Sequence, residues 1–181
     1  MPQLQLTFDD GPDPVWTPRI LDALRAADLR ATFFVIAPRA QAHPTLVRRA
    51  QAEGHDVQLH CDAHVRHTDL SEAEGRADTR RALERLADLD VAPTSWRTPW
   101  GVHAAWTEAV ARDHDLELCG WDVDTHDWRG DSAEAMLAAT GPELRDDAVV
   151  LLHDGLGPGA RRTDCDQTLR YVQLLGASVT A

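Results

Sequence analysis

The sequence predicts an α/β fold in which about seven strand–helix units form a closed or nearly closed barrel around a parallel sheet. Short apolar runs alternate along the chain with longer stretches of helical periodicity, which is typical of parallel sheets covered by helices. No G-x-G-x-x-G motif follows the first apolar run, and this disfavours the alternative of an open, dinucleotide-binding sheet. The 181 residues are too few for eight full units, which usually need about 250 residues.

The strands are predicted from short apolar and β-branched runs. The run ATFFVI at 31–36 is both β-branched and aromatic, as expected of a buried strand. The segment 177–180 is a candidate for a last, short strand. The other predicted strands are 4–8, 57–60, 94–97, 116–121 and 149–153.

The helices are predicted from their periodicity and from the residues at their ends. Gly54 follows the helix predicted at 44–53 and has the position of a C′ glycine. Ser71 and Glu74 have the spacing of a capping box at the start of a long helix, 71–88. The other predicted helices are 16–27, 104–113, 132–139 and 163–175.

The length and composition indicate one globular domain over residues 1–181. Hydrophobic residues make up 43% of the chain and charged residues 27%, which argues against disorder. No apolar run approaches the roughly 20 residues of a membrane span, so we expect no membrane insertion. The N-terminal residues carry no signal sequence, which predicts a cytoplasmic location for the chain as given, unless a leader has been removed.

The charge of the chain excludes further classes of partner. The formal net charge is −12 and the sequence contains no lysine, so we expect no binding to nucleic acid or to an anionic membrane surface. The three cysteines are an odd number without CxxC spacing, which makes a disulfide framework or a zinc finger improbable. Nothing in the sequence determines the oligomeric state.

Polar side chains follow five of the predicted strands. In parallel barrels and open parallel sheets, the chemistry lies where the strands end at their C-termini. Carboxylates, imidazoles and a guanidinium at five such ends therefore predict an active site at one rim. The residues in question are Asp9 and Asp10, then His60, His64 and His67, then Arg97, then Asp122, Asp124, His126 and Asp127, and finally His153.

A histidine pair at this rim suggests a metal site. His60 and His64 are spaced i, i+4, and a carboxylate pair follows a strand expected to lie near them. Two imidazoles with one carboxylate are a standard ligand set for catalytic zinc, with one position left for water. His67 and Cys61 compete as ligands, and the alternative is a polar loop with surface histidines.

The adjacent carboxylates Asp9 and Asp10 suggest two different catalytic roles. In an extended chain adjacent side chains point in opposite directions, but at a strand-to-loop turn both can reach the rim. One carboxylate can then bind the metal while the other takes a proton from the attacking water. The alternative is an Asx-type turn before Gly11 and Pro12.

Five segments of the chain resemble the motifs of NodB-type polysaccharide deacetylases, carbohydrate esterase family 4, and occur in that family's order. They are TFDDGP at 7–12, the pair His60-x-x-x-His64, RTPW at 97–100, DTHDW at 124–128 and LLH at 151–153. The resemblance covers nearly the whole chain and implies an irregular (β/α) barrel. It also implies an enzyme that uses a divalent metal, with zinc as the expected ion, to remove acetyl groups from a glycan.

The resemblance implies a metal centre and a general base. Asp10, His60 and His64 correspond to the metal ligands. Asp9 corresponds to the general base, and Arg97 to the residue that keeps Asp9 ionised and oriented.

The resemblance also implies a general acid and a pocket for the acetyl group. His153 corresponds to the acid that protonates the leaving amine, with Asp124 as its partner. Trp128 and Leu151 are expected to line the pocket for the acetyl methyl group. The backbone N–H of Trp100 is expected to stabilise the oxyanion.

Three functions are compatible with these residues. The first is a metal-dependent deacetylase acting on N-acetyl, or else O-acetyl, groups of a glycan such as chitin oligosaccharide or peptidoglycan. The second is hydrolysis of another non-peptide C–N bond on the same scaffold. The third is a non-catalytic glycan-binding barrel, which predicts gaps in the catalytic set, whereas every residue of that set is present in this chain.

Overall fold

The fold is that of a computed structural model, which describes residues 4–179, with side chains to residue 177. Its strands are β1 (Gln5–Asp9), β2 (Ala31–Ile36), β3 (Asp56–Cys61), β4 (Ser95–Trp96), β5 (Glu117–Leu118), β6 (Val123–Asp124) and β7 (Val149–His153). Its helices are α1 (Trp16–Ala26), α2 (Ala37–Ala42), α3 (Pro44–Ala52), α4 (Glu72–Ala87), α5 (Thr107–Asp113), α6 (Ala133–Thr140) and α7 (Asp166–Val179).

All seven strands belong to one parallel sheet in the order β5-β4-β3-β2-β1-β7-β6. The predicted seven-stranded parallel architecture is therefore confirmed. β1 lies inside the sheet between β2 and β7, so its C-terminal end is surrounded by the ends of its neighbours.

The short link between β5 and β6 explains why the sheet is a curled half-barrel. These strands lie at opposite edges of the sheet, yet Leu118 and Val123 are only five residues apart. Five extended residues span at most about 18 Å, so the two edges must approach each other. The prediction of one strand at 116–121 is wrong in this respect, because the chain leaves one edge after Leu118 and joins the other at Val123.

The hydrophobic core fills the space between the sheet and the helices. Phe8 of β1 and Phe33 of β2 are buried and stack with their ring centroids 5.2 Å apart. Ile20, Leu21 and Leu24 of α1 are fully buried against the same core. The strands that carry the polar rim residues are thus held by one continuous apolar interior.

The helices agree with the prediction except near 37–42 and at the C-terminus. The predicted capping box is present, since the Glu74 carboxylate accepts the Ser71 N–H at 2.8 Å. The short helix α2 was not predicted, because six residues directly after a strand show little periodicity. The predicted strand at 177–180 is wrong over its described part, where α7 continues to Val179, and Thr180 lies outside the described residues. β7 already pairs with β1 on one side and with β6 on the other, so no side of β7 is left for a further strand. No helix within residues 4–179 is both long and apolar enough to span a membrane.

Candidate active site

The end of β1 brings two adjacent carboxylates into the same cavity. Asp9 is the last residue of β1, and Asp10 has φ = 72°, in the left-handed region that few residues other than glycine adopt. This turn breaks the alternation of a strand, so both side chains face a cavity of about 370 Å³ at the C-terminal rim of the sheet. Both residues are buried.

Two further contacts support the turn at Asp10. The buried Asp154 carboxylate accepts a hydrogen bond from the Thr17 hydroxyl at 2.5 Å and packs against Gly11, where a Cβ atom would lie 2.2 Å from it. Burial raises the pKa of Asp154 to about 7. The Arg39 guanidinium donates to the carbonyl oxygen of Asp10 at 2.7 Å. Sequence reasoning assigned no role to Thr17, Arg39 or Asp154.

Asp10, His60 and His64 form the group of possible metal ligands found within the described part of the chain. The Oδ1 atom of Asp10 lies 3.1 Å from Nε2 of His64 and 3.4 Å from Nε2 of His60. His60 is the fifth residue of β3, and its Nδ1 lies 2.7 Å from the carbonyl oxygen of Arg97. That contact leaves Nε2 free to face Asp10, as in metal-binding histidines.

The surroundings of Asp10 fit a divalent cation. Its Oδ1 atom is buried and has no hydrogen-bond partner among residues 4–177, although two imidazole nitrogens lie close to it. Burial alone would raise the pKa of the Asp10 carboxyl, but the imidazoles of His60 and His64 hold it well below its usual range. An ionised carboxylate beside two imidazoles is a donor set that suits such an ion.

The two competing ligands lie outside this group. His67 is buried, and its Nδ1 lies 2.9 Å from the Thr107 hydroxyl while its ring stacks on Trp106 at 4.7 Å. The thiol of Cys61 is also buried, and burial raises its pKa well above the usual value. Packing therefore accounts for both side chains.

Arg97 holds the carboxylate of Asp9. Its Nη1 donates to Oδ1 of Asp9 at 2.9 Å and to the Thr7 hydroxyl at 2.6 Å, and its Nη2 donates to the carbonyl oxygen of Gly120 at 2.6 Å. The Arg97 side chain is fully buried and stacks over Phe34 at 4.3 Å. Asp9 therefore has a fixed orientation and a buried counter-charge.

The partner of His153 is Asp127, and the prediction that it is Asp124 is wrong. Nδ1 of His153 lies 2.7 Å from Oδ1 of Asp127, while the Asp124 carboxylate accepts the backbone N–H of His126 at 2.7 Å. β6 pairs Asp124 with Leu151 of β7. The chain then turns through His126 (φ = 57°) into a 3-10 turn that begins at Asp127, and this turn brings Asp127 to His153.

Asp127 keeps His153 protonated. Burial alone would lower the pKa of His153, but the charge and hydrogen bond of Asp127 raise it to about 9. Burial would likewise raise the pKa of Asp127, and the charge of His153 instead lowers it to about 2. The other carboxylate oxygen of Asp127 accepts from Arg162 at 3.0 Å and from Thr168 at 2.7 Å.

Aromatic and apolar side chains complete the lining of the cavity. Trp100, Trp128 and Leu151, which the sequence analysis assigned to substrate binding, line the cavity together with Trp121, which sequence reasoning did not single out. Trp100 is 36% exposed and meets the ring of His64 edge-on at 4.3 Å. The backbone of Trp100 is also left-handed, with φ = 55°.

A carboxylate–histidine–histidine group at the rim of a curled parallel (β/α) sheet defines a class of metal-dependent hydrolases. This chain belongs to the polysaccharide deacetylase family, because the family model described as "Polysaccharide deacetylase" matches residues 2–119. The predicted NodB-type fold and deacetylase activity are those of this family.

Curated relatives and a solved structure agree with this assignment. The chain is 36% identical over 162 residues to the chitooligosaccharide deacetylase of Sinorhizobium fredii, covering 87% of this chain and 74% of the relative. It is 32% identical over 154 residues to a peptidoglycan-N-acetylglucosamine deacetylase of Bacillus cereus, covering 84% and 72%. The family 4 carbohydrate esterase from Streptomyces lividans, solved in complex with acetate, superposes with a TM-score of 0.87 at 30% identity, covering 99% and 88%.

Proposed function

We propose that this chain removes the acetyl group from N-acetylglucosamine residues of a glycan, with residues 1–181 acting as a single catalytic domain. The observation that carries the proposal is that the Asp10–His60–His64 group, the Asp9 carboxylate held by Arg97 and the side chain of His153 all face one cavity. Two relatives that act on N-acetylated glycans, as their names state, support the substrate class.

We propose zinc as the metal held by Asp10, His60 and His64. With bonds of about 2.0–2.1 Å, two ligand atoms of a tetrahedral zinc ion lie about 3.3–3.4 Å apart. The separations of 3.1 and 3.4 Å between Asp10 Oδ1 and the two imidazole nitrogens fit that value. A divalent ion bound there supplies a Lewis acid that polarises the acetyl carbonyl and lowers the pKa of water.

Asp9 acts as the general base in this proposal. Its carboxylate lies in the cavity beside the metal ligands, and it accepts the proton of the water that attacks the acetyl carbon. Arg97 is the positioning residue, because its buried guanidinium fixes one oxygen of Asp9 and leaves the other to the cavity.

His153 acts as the general acid. An amine is a poor leaving group unless it receives a proton as the C–N bond breaks. The imidazole of His153 holds that proton at neutral pH, because Asp127 raises its pKa to about 9. A protonated acid in the cavity assists amide cleavage more than ester cleavage, because an amine needs the proton in order to leave and an alcohol needs it less.

Trp100, Trp128 and Leu151 bind the acetyl group in this proposal. The backbone N–H of Trp100 donates to the oxyanion that develops on the acetyl oxygen. Trp128 and Leu151 provide the apolar contact for the acetyl methyl group. Asp124 lines the same cavity and caps the turn at His126.

Acetate release from a tetramer of N-acetylglucosamine tests this function. We expect the zinc-loaded chain to release acetate, and Asp9→Asn to lower the rate about 10²–10⁴-fold, the usual size of general-base catalysis, while the bound metal stays in place. Acetate release that is equal in both proteins would contradict the assignment of Asp9. No release by the wild-type chain from any N-acetylated glycan would contradict the proposed function.

A further inference from the structure

The proposed metal ligand His64 lies in a loop, whereas the other two ligands lie at or next to the ends of strands. Asp10 directly follows β1 and His60 belongs to β3, and each of these strands is paired on both sides in the sheet. His64 lies in the segment 62–66, here called the His64 loop, between β3 and a 3-10 turn at His67–Asp69. Strand pairing therefore does not fix the position of His64, and other contacts must do so.

The imidazoles of His60 and His64 are oriented in different ways. Nδ1 of His60 lies 2.7 Å from the carbonyl oxygen of Arg97. Nδ1 of His64 is buried and has no hydrogen-bond partner among residues 4–177, and its ring meets the half-exposed Trp100 edge-on. Because metal-binding histidines are normally oriented through the second ring nitrogen, the backbone of the His64 loop must provide this orientation instead.

The carboxylate of Asp78 binds the backbone of the His64 loop. Oδ2 of Asp78 accepts the N–H of Asp62 at 3.1 Å, and Oδ1 accepts the N–H of Ala63 at 2.9 Å. These two peptide groups are consecutive and lead directly into His64. A carboxylate that accepts from two successive N–H groups fixes the direction of the chain, and such hydrogen bonds are stronger than those between neutral groups.

The surroundings of Asp78 indicate that these two N–H groups are its main partners. Asp78 lies on α4 and is 8% exposed. Its nearest cation, Nη2 of Arg81, lies 3.3 Å from Oδ1, and the Arg81 side chain is 46% exposed. Burial of a carboxylate is costly unless hydrogen bonds or charges compensate for it. An exposed guanidinium compensates little, so the His64 loop provides most of the compensation.

A second contact connects the same loop to α4. The side-chain carboxylate of Asp62 accepts from Nε of Arg81 at 2.9 Å and from Nε of Arg85 at 2.8 Å. Helix α4 therefore holds the His64 loop both by its backbone and by a side chain. Since α4 is a 16-residue helix with a complete capping box, it provides a rigid support.

We propose that Asp78 is a positioning residue for His64, because it holds the His64 loop in its metal-binding conformation before the metal binds. This inference rests on the proposed metal site and adds a residue that lies outside the cavity and outside the catalytic chemistry. A loop that is already ordered loses little further conformational entropy when its histidine binds the ion, so the ion is bound more tightly.

The zinc affinity of the metal-free chain, measured by competition with a chelator of known affinity, tests this inference. In Asp78→Asn an amide nitrogen replaces one oxygen, so one N–H of the His64 loop loses its acceptor. We expect this variant to bind zinc about 10-fold more weakly, the lower end of the range for residues that support a metal ligand. Asp78→Glu keeps both acceptor oxygens on a longer side chain, and its affinity should lie between those of the wild type and Asp78→Asn.

Glu84→Gln is the matched control, because Glu84 belongs to the same helix and the change removes the same charge. Its side chain is 66% exposed and pairs with Arg80 at 3.7 Å, so zinc affinity should match that of the wild type. A role of Asp78 in stability alone would lower the urea midpoint of Asp78→Asn and leave the zinc affinity of the folded chain unchanged. Unchanged affinity in Asp78→Asn, or an equal loss in Glu84→Gln, would therefore overturn the inference.

Hydrogen exchange in the metal-free wild-type chain is a second test that needs no zinc. The amide protons of Asp62 and Ala63 should be protected, because Asp78 accepts both before any metal is bound. Exchange of these amides at the rate of an unstructured peptide would overturn the inference. A wild-type chain that binds no zinc would contradict the proposed metal site, and this measurement would still decide whether Asp78 holds the loop.

The same measurement covers the case in which Asp78→Asn does not fold. The longer side chain of Asp78→Glu displaces the two acceptor oxygens, so the amides of Asp62 and Ala63 should exchange faster in this variant than in the wild type. Faster exchange of these two amides supports the inference, and unchanged exchange overturns it.

Discussion

The imidazole of His153 and the fully buried carboxylate of Asp127 form a charged pair at the C-terminal end of β7, with Nδ1 2.7 Å from Oδ1. The backbone N–H of His153 also donates to Asp127, at 2.9 Å. The carboxylate therefore fixes both the position and the protonation of the imidazole. A proton is held ready on a group that burial alone would leave neutral.

Exchanging Asp127 for Asn should change the pH dependence of the reaction. The protonated form of His153 is present below its pKa of about 9, so the rate should fall as the pH rises through that value. In Asp127→Asn, burial lowers the pKa of His153 and no carboxylate at position 127 opposes this effect. The alkaline limb of the pH–rate profile should therefore move to lower pH.

Asp124→Asn is the matched control, because it removes a nearby carboxylate that does not touch His153. Its alkaline limb should stay near that of the wild-type chain. Since Asp127 also binds Arg162 and Thr168, thermal unfolding should confirm that each variant is folded at the assay temperature. An alkaline limb that moves to lower pH in Asp124→Asn but not in Asp127→Asn would contradict the pairing of His153 with Asp127.

His153→Ala should discriminate between leaving groups. An amine needs the proton of His153, whereas nitrophenolate needs almost none. The variant should nearly lose acetate release from an N-acetylated sugar and keep much of any hydrolysis of nitrophenyl acetate. Assaying both substrates on the same preparation checks this, and equal losses would show that His153 stabilises the oxyanion or the fold rather than acting as an acid.

Arg97→Ala should destabilise the whole domain. The guanidinium is fully buried and satisfies Asp9, Thr7 and Gly120, and its removal leaves a buried carboxylate without its counter-charge. Breaking such a pair costs about 3–5 kcal/mol, which urea unfolding should show as a lower midpoint.

Arg112→Ala is the control for that experiment. Arg112 pairs with Glu108 at 3.8 Å, and both side chains are more than 70% exposed. An exposed pair of this kind contributes little to stability, so the urea midpoint should stay close to that of the wild-type chain. A similar shift of the urea midpoint in both variants would show that the buried Arg97–Asp9 pair contributes no more to stability than an exposed pair.

Gly157→Ala should weaken metal binding without a change in any ligand. A Cβ atom at position 157 would lie 2.0 Å from Oδ2 of Asp10, so the carboxylate would have to move away from the two imidazoles. Disturbing the support of a ligand typically lowers metal affinity about 10–100-fold. Gly141 has open space around its Cβ position, so Gly141→Ala should bind metal as the wild-type chain does, and equal affinity in both variants would refute the argument.

The prediction of the fold succeeded where the sequence pattern is strong. The apolar runs of β1, β2 and β7 and the capping box of α4 are local signals, and the structure contains all of them. The split between β5 and β6 was missed because it depends on which edge of the sheet each strand joins. That choice is made by long-range contacts such as the pairing of β6 with β7.

The prediction of the site shows the same limit. Asp9, Asp10, His60, His64 and Arg97 come together because each lies at, or within three residues of, the C-terminal end of a strand. The partner of His153 could not be chosen between two aspartates three residues apart, since the choice depends on the register of β6 and on the turn at His126. Arg162 has no local signal at all, because it lies in the loop before α7 and reaches Asp127 only in the folded chain.

The metal content of the wild-type chain and of His60→Ala, measured by elemental analysis after loading with zinc and removal of unbound metal, tests the central claim most directly. Two remaining ligands hold zinc poorly. The wild-type chain should therefore retain one zinc ion, while His60→Ala should lose both the ion and acetate release. Full occupancy in His60→Ala would contradict the account, because it would mean that a side chain outside Asp10, His60 and His64 completes the site.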